Sequence, residues 1–225
     1  MNQDTVAAEL ARISEGRHHD PFSVLGRHVE GGHAVLRACI PFASEVRIAE
    51  LGMQMTRLPG TDIFEWRGDG CGLPSHYSLI WRDDGHREQI ARDPYTFLPQ
   101  ISDFDLDLFG EGRHRHAHRF LGAREHEVDG VAGVLFAVWA PNAERVSVVG
   151  DFNRWDGRRH PMRVRGESGV WELFIPDLEP GHIQILHNRA TGHSRTAFED
   201  HAEPERRRRL VRLWLRDYGR RAYPG

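Results

Sequence analysis

Two stretches of this chain carry one pattern twice, and that repetition limits the fold more than any other feature. Pro41 is answered by Pro141, Ala43 by Ala143, Val46 by Val146 and Ile48 by Val148, all at one spacing, since 141 minus 41 is 100. A short apolar run precedes each proline: Ala34 to Ile40 in the first copy, Val134 to Trp139 in the second. Further along, Ile63-Phe64-Glu65-Trp66 is echoed by Val170-Trp171-Glu172-Leu173. Short runs rich in β-branched and aromatic residues, punctuated by Pro, Gly and Asn, are strand signals. A repeated set of them predicts an all-β chain of two tandem immunoglobulin-like β-sandwich domains. In the second copy, the run ending at Trp139 and the run Val146 to Val149 flank the turn cluster Pro141-Asn142, so the pattern predicts that they pair as an antiparallel hairpin.

Flanking segments divide the rest of the chain. Val6, Leu10 and Ile13 fall at helical spacing, with Asp4 placed to cap and Gly16 to stop, which predicts a short docking helix within residues 1–16. The first sandwich is placed at 17–110, a polar His-rich linker at 111–124, the second sandwich at 125–195 and an Arg-rich tail, irregular or helical, at 196–225. Near the start, His18-His19-Asp20 offers metal-ligand chemistry, but adjacent side chains diverge and chelate poorly, and a polar turn over Phe22, Val24 and Leu25 is the simpler reading. His114, His116 and His118 would share one face of an extended strand and could hold zinc. No carboxylate or Cys stands at supporting spacing, which favours a solvated linker, and no metal or cofactor is expected.

Composition excludes several chemistries. The chain is 39% hydrophobic with a formal net charge of -3, as expected of an ordinary globular protein. All thirty basic residues are Arg, so neither a Schiff-base lysine nor a P-loop lysine exists. Cys39 and Cys71 are the only cysteines, too few for a disulfide framework and suited to a reducing cytoplasm. No secretory apolar region and no run approaching about 18 apolar residues is present, so neither export nor a membrane partner is expected.

The second copy carries a loop that the first lacks. Phe152-Asn153-Arg154-Trp155-Asp156-Gly157 follows Gly150-Asp151, whereas the first copy runs Glu50-Leu51-Gly52-Met53-Gln54-Met55 at that place. A large ring held at the edge of a rigid sandwich is what a flat sugar face stacks on. Trp155 is therefore the candidate ligand contact, with Asn153 beside it, although a Trp capping the sandwich end is an equal alternative. Trp139 and Trp171 lie inside alternating strand runs and are expected in the core. The first copy, without this loop, reads as a spacer or docking domain.

The strings HHDPFSVLG, ARDPYTFLP, DLFGEG, FAVWAPNAERVSVVGDFNRWDGRRHPM and VWELFIP resemble the amino-terminal portion of bacterial glycogen (1,4-α-glucan) branching enzymes, including their family-48 carbohydrate-binding module. The resemblance implies an α-glucan partner and a role in presenting glucan to a catalytic (β/α)₈ barrel. There, a carboxylate nucleophile and an acid/base about 5–5.5 Å apart transfer an α-1,4 segment to a glucose O6. Such a barrel needs about 250 residues. After Gly181 only 44 residues remain, with neither an Asp followed four residues later by Asn-His nor a Gly-x-Arg-x-Asp. No catalytic residue is therefore assigned, and the chain alone is expected to be inactive and monomeric. A stand-alone, non-catalytic glucan-binding or regulatory protein is the competing class.

Agreement with the family is expected to end near Gly181. His182 to Gly225 holds ten Arg against five acidic residues. The run Arg206 to Arg209 admits nucleic-acid contact, and Leu210, Leu213 and Trp214 admit a basic amphipathic helix, but neither has a supporting motif. A shifted reading frame explains the jump in Arg better, so no nucleic-acid partner is expected.

Overall fold

Residues 3–179 are described by the computed structural model of the chain; the tail and the readings attached to it lie outside the described residues. Helix α1 (Gln3–Ser14) takes in the predicted segment, and Asp4 falls inside its first turn rather than at its cap. Gly16 ends the segment in the left-handed conformation, φ 63. The first module then runs through β1 (Gly26–Glu30), β2 (His33–Cys39), β3 (Glu45–Ile48), β4 (Met53–Gln54), β5 (Thr56–Arg57), β6 (Ile63–Gly68), β7 (Ser78–Arg82) and β8 (Glu88–Arg92). These form two four-stranded antiparallel sheets, β1-β2-β6-β5 and β4-β3-β7-β8. Leu36, Ala38, Val46, Ile48, Phe64 and Leu79 meet between the sheets as one core. Strand β2 is buried on both faces because α1 covers its outer side, where Ile13 packs with Leu25, Cys39, Ile63 and Tyr95.

The second module builds one four-stranded sheet from β9 (Gly122–Val128), β10 (Val131–Trp139), β11 (Arg163–Val164) and β12 (Val170–Pro176), in the order β11-β12-β10-β9. Its opposing layer is shorter. Val146 to Val149 forms only a single antiparallel bridge, Ser147 with Pro161, flanked by Val148 N–H to His160 O at 3.0 Å and Met162 N–H to Val146 O at 2.8 Å. The predicted hairpin is thus corrected: β10 pairs with β9 and β12, while Val146 and Val148 face Val134, Phe136 and Trp171 across the core. The physical reason is shared burial. Both runs are apolar on the same side of the turn, so the chain crosses between layers and buries both, as it does between β2 and β3.

The repeat reaches the strand register. Cys39 stands opposite Ile63 as Trp139 stands opposite Val170, which places Glu65 opposite Arg37 and Glu172 opposite Ala137. Both modules are immunoglobulin-like antiparallel β-sandwiches. Between them the chain does not run loose. Helix α2 (Asp103–Gly110), capped by Ser102, lies with Ile101, Leu106 and Phe120 against Ala137 and Val170. Phe97 meets Leu135 and Phe174 on the same sheet face. The connecting segment is a packed layer over the second module's outer face.

Candidate functional site

The loop at 150–157 leaves the short layer at Gly150 and makes one 3-10 turn over Asp151–Asn153. Arg154 and Trp155 follow, both left-handed, with φ 58 and 59. For a side chain as large as Trp155 this backbone costs on the order of 1 kcal/mol or more and persists only where neighbours over-determine it. Asn153 supplies much of that constraint. It is 7% exposed; its Oδ1 accepts from Gly150 N–H at 2.8 Å, and its Nδ2 donates to Val148 O at 2.8 Å and to His160 Nδ1 at 2.9 Å. The structure therefore places Asn153 beneath the loop, not on its face. Burial, reinforced by the neighbouring Arg159 charge, holds the His160 pKa well below the usual imidazole value, so the ring is neutral and its Nδ1 is free to accept.

Trp155 stands on the outer side of the loop, 49% exposed, and its indole N–H donates to Asp151 Oδ1 at 2.8 Å. One edge of the ring is tied down while about half of its surface meets solvent, an arrangement suited to stacking. Trp171 is buried and donates to Ala140 O. Trp139 departs from expectation: it is 42% exposed at the end of β10, with Phe109 in a T-shaped contact against it.

The loop also reaches the first module. Arg154 forms a two-pronged ion pair with Asp84, at 2.8 and 3.3 Å, and its guanidinium lies 4.7 Å from the centre of the Phe42 ring. Arg158 bonds Asp156 and Asp62, and Arg159 lies over Trp81. The hydrogen bond and charge of Arg154 hold the Asp84 carboxyl below its ordinary range. Neither Asp84 nor Phe42 was singled out by sequence. Phe42, directly after the repeated Pro41, was the available signal, since the second copy has Asn142 there.

The histidine motifs sit among local partners. His18 is buried against Glu9, and Phe22, Val24 and Leu25 pack beneath the turn. His114 bonds Asp105 at 2.9 Å, while His116 and His118 lie ring to ring around a 3-10 turn, not on one strand face. Among the described residues no group of three or more His, Cys, Asp or Glu is arranged to hold a metal, and no helix is long and apolar enough to cross a membrane.

A β-sandwich presenting one tethered, solvent-facing Trp at its edge has the form of a carbohydrate-binding module. Residues 120–201 match the model of carbohydrate-binding module 48 (isoamylase N-terminal domain), a stretch that passes Gly181 where agreement was expected to end. Residues 6–95 match the N-terminal domain of alpha-1,4-glucan branching enzyme GlgB. The chain is 55% identical over 198 residues to the 1,4-alpha-glucan branching enzyme GlgB of Methylococcus capsulatus, covering 85% of this chain and 27% of the relative. Over 179 residues it is 56% identical to that of Thiobacillus denitrificans, covering 78% and 24%. With Cellvibrio japonicus GlgB it shares 49% identity over 199 residues, covering 83% and 27%. Both family models and all three relatives match this chain as an amino-terminal portion of GlgB branching enzymes, and it spans about a quarter of the length of the curated relatives it matches.

Proposed function

We propose that this chain is the glucan-positioning portion of a cytoplasmic glycogen branching enzyme, in which the second module holds an α-1,4-glucan for transfer of a segment to a glucose O6. The observation that carries the reading is Trp155: half-exposed, on a loop with its own internal bracing, its indole edge tied to Asp151. Glucose presents a flat C–H face to such a ring, and the hydroxyls at its edge remain hydrated. Asn153 acts beneath the surface by holding the loop in shape. One aromatic–sugar stack is worth about 0.5–1.5 kcal/mol beyond area burial, by analogy with aromatic pairs. Binding is therefore weak per site and is best read at high glycogen concentration. Native gels cast with glycogen test this. The chain should be retarded, and Trp155→Ala should lose much of the retardation; equal mobility of the two proteins at every glycogen concentration would remove Trp155 from the site.

A further inference from the structure

We propose that the first module is a working part of the glucan face: Asp84 and Phe42 clamp Arg154 and thereby set the pose of Trp155, the next residue along. The inference rests on the glucan reading of Trp155 and extends it across the module boundary. Three observations carry it. Arg154 and Trp155 are consecutive left-handed residues, so the clamped guanidinium and the exposed indole hang from adjoining positions of one strained stretch of backbone. The loop's own bonds from Asn153 reach Gly150, Val148 and His160, and none of these holds the Arg154 side chain. That side chain is held instead by both Asp84 oxygens and the Phe42 ring.

The clamp stands on a firm base. Asp84 sits in the turn between β7 and β8, where buried Asp83 accepts from Arg87 N–H at 2.9 Å and from Gln89 Nε2 at 3.0 Å, and His86 N–H returns to Asp83 O at 2.9 Å. Asp84 and Phe42 are thus positioning residues for the ring that touches sugar. Because the pair is exposed, salt screens it: the Debye length shrinks from about 10 Å at 0.1 M to about 3 Å at 1 M. A sugar is uncharged, so salt sensitivity of glucan binding would report the clamp and not the ligand.

The test uses the whole 225-residue chain in glycogen gels at 0.05 and 1 M NaCl, with thermal unfolding measured alongside. Asp84→Asn should weaken retardation about two- to fivefold at low salt while leaving the melting temperature nearly unchanged, as expected of one exposed pair. High salt should weaken the unsubstituted chain towards the level of Asp84→Asn and leave the variant itself flat. Phe42→Leu should act in the same direction. If Trp155→Ala reduces retardation and Asp84→Asn and Phe42→Leu do not, the clamp is wrong and the glucan reading stands. If Trp155→Ala itself has no effect, both fall. Loss of binding in step with a large drop in melting temperature at both salt concentrations would overturn the clamp in favour of a general structural role.

Discussion

Asn153 divides one amide among three partners, and the loop depends on that division. Asn153→Ala leaves Gly150 N–H, Val148 O and His160 Nδ1 without their bond, and an unsatisfied buried polar group costs about 1–3 kcal/mol. Urea denaturation should show a loss of about 3 kcal/mol or more, and glycogen retardation should fall with it. His160 adds a pH dependence whose sign follows from its environment. Its pKa in the fold lies well below 6.5, so in acid the unfolded chain takes up a proton that the folded ring refuses. The contribution is fully present above about pH 6.5 and is lost as pH falls below it. Melting temperature should therefore decline from pH 7 to pH 5, and His160→Gln should decline less steeply. Equal slopes for the two proteins would show that His160 is not the titrating group.

Glu172 shows how a single element is joined to its surroundings. It lies on β12 at 1% exposure, accepts from the backbone N–H groups of Gln100 and Ile101 at 3.1 and 3.0 Å, and faces Arg163 and Arg165. Removing one partner of a buried ionic group costs about 3–5 kcal/mol; here Arg165 keeps Asp103 and Arg163 keeps Phe97 O, so the lower end applies. Glu172→Ala should lose stability of that order, and hydrogen exchange at the Gln100 and Ile101 amides should accelerate; unchanged exchange there would break the assignment. The strands were largely legible because their apolar residues recur with the strand period and the repeat supplies a second copy to check against. Helix α2 was not legible. In Asp103-Phe104-Asp105-Leu106-Asp107-Leu108 the alternation imitates a strand, and the Ser102 cap, which accepts from Asp105 N–H, decides for helix. Trp139 was misplaced because alternation gives the face of a strand but not how far cover extends along it. Asn153 and Trp155 could be placed in one loop from sequence, but only the fold shows that one lies under it and the other on it.

At the scale of the whole molecule, the 225-residue chain, proposed above as the glucan-positioning portion, should leave the iodine-complex spectrum of amylose unchanged. New α-1,6 linkages would overturn that expectation. The two modules should also melt together. Ion pairs, ring contacts and the strap at 97–103 cross between them, so calorimetric and van't Hoff enthalpies should agree for one transition, and two resolved transitions would contradict it. The duplicated glutamate explains why this is more than adhesion. In the first module Glu65 meets Arg37 across its own ladder on the sheet's outer face, so the charge is answered within the module. At the same rung of the second module Arg37 is replaced by Ala137, and Glu172 turns outward to the connecting segment. The unit that repeats along the chain is therefore smaller than the unit that closes its own electrostatics. A piece cut at residue 125, where pattern alone places the start of the second module, would contain Glu172 and lack the Gln100 and Ile101 backbone that satisfies it.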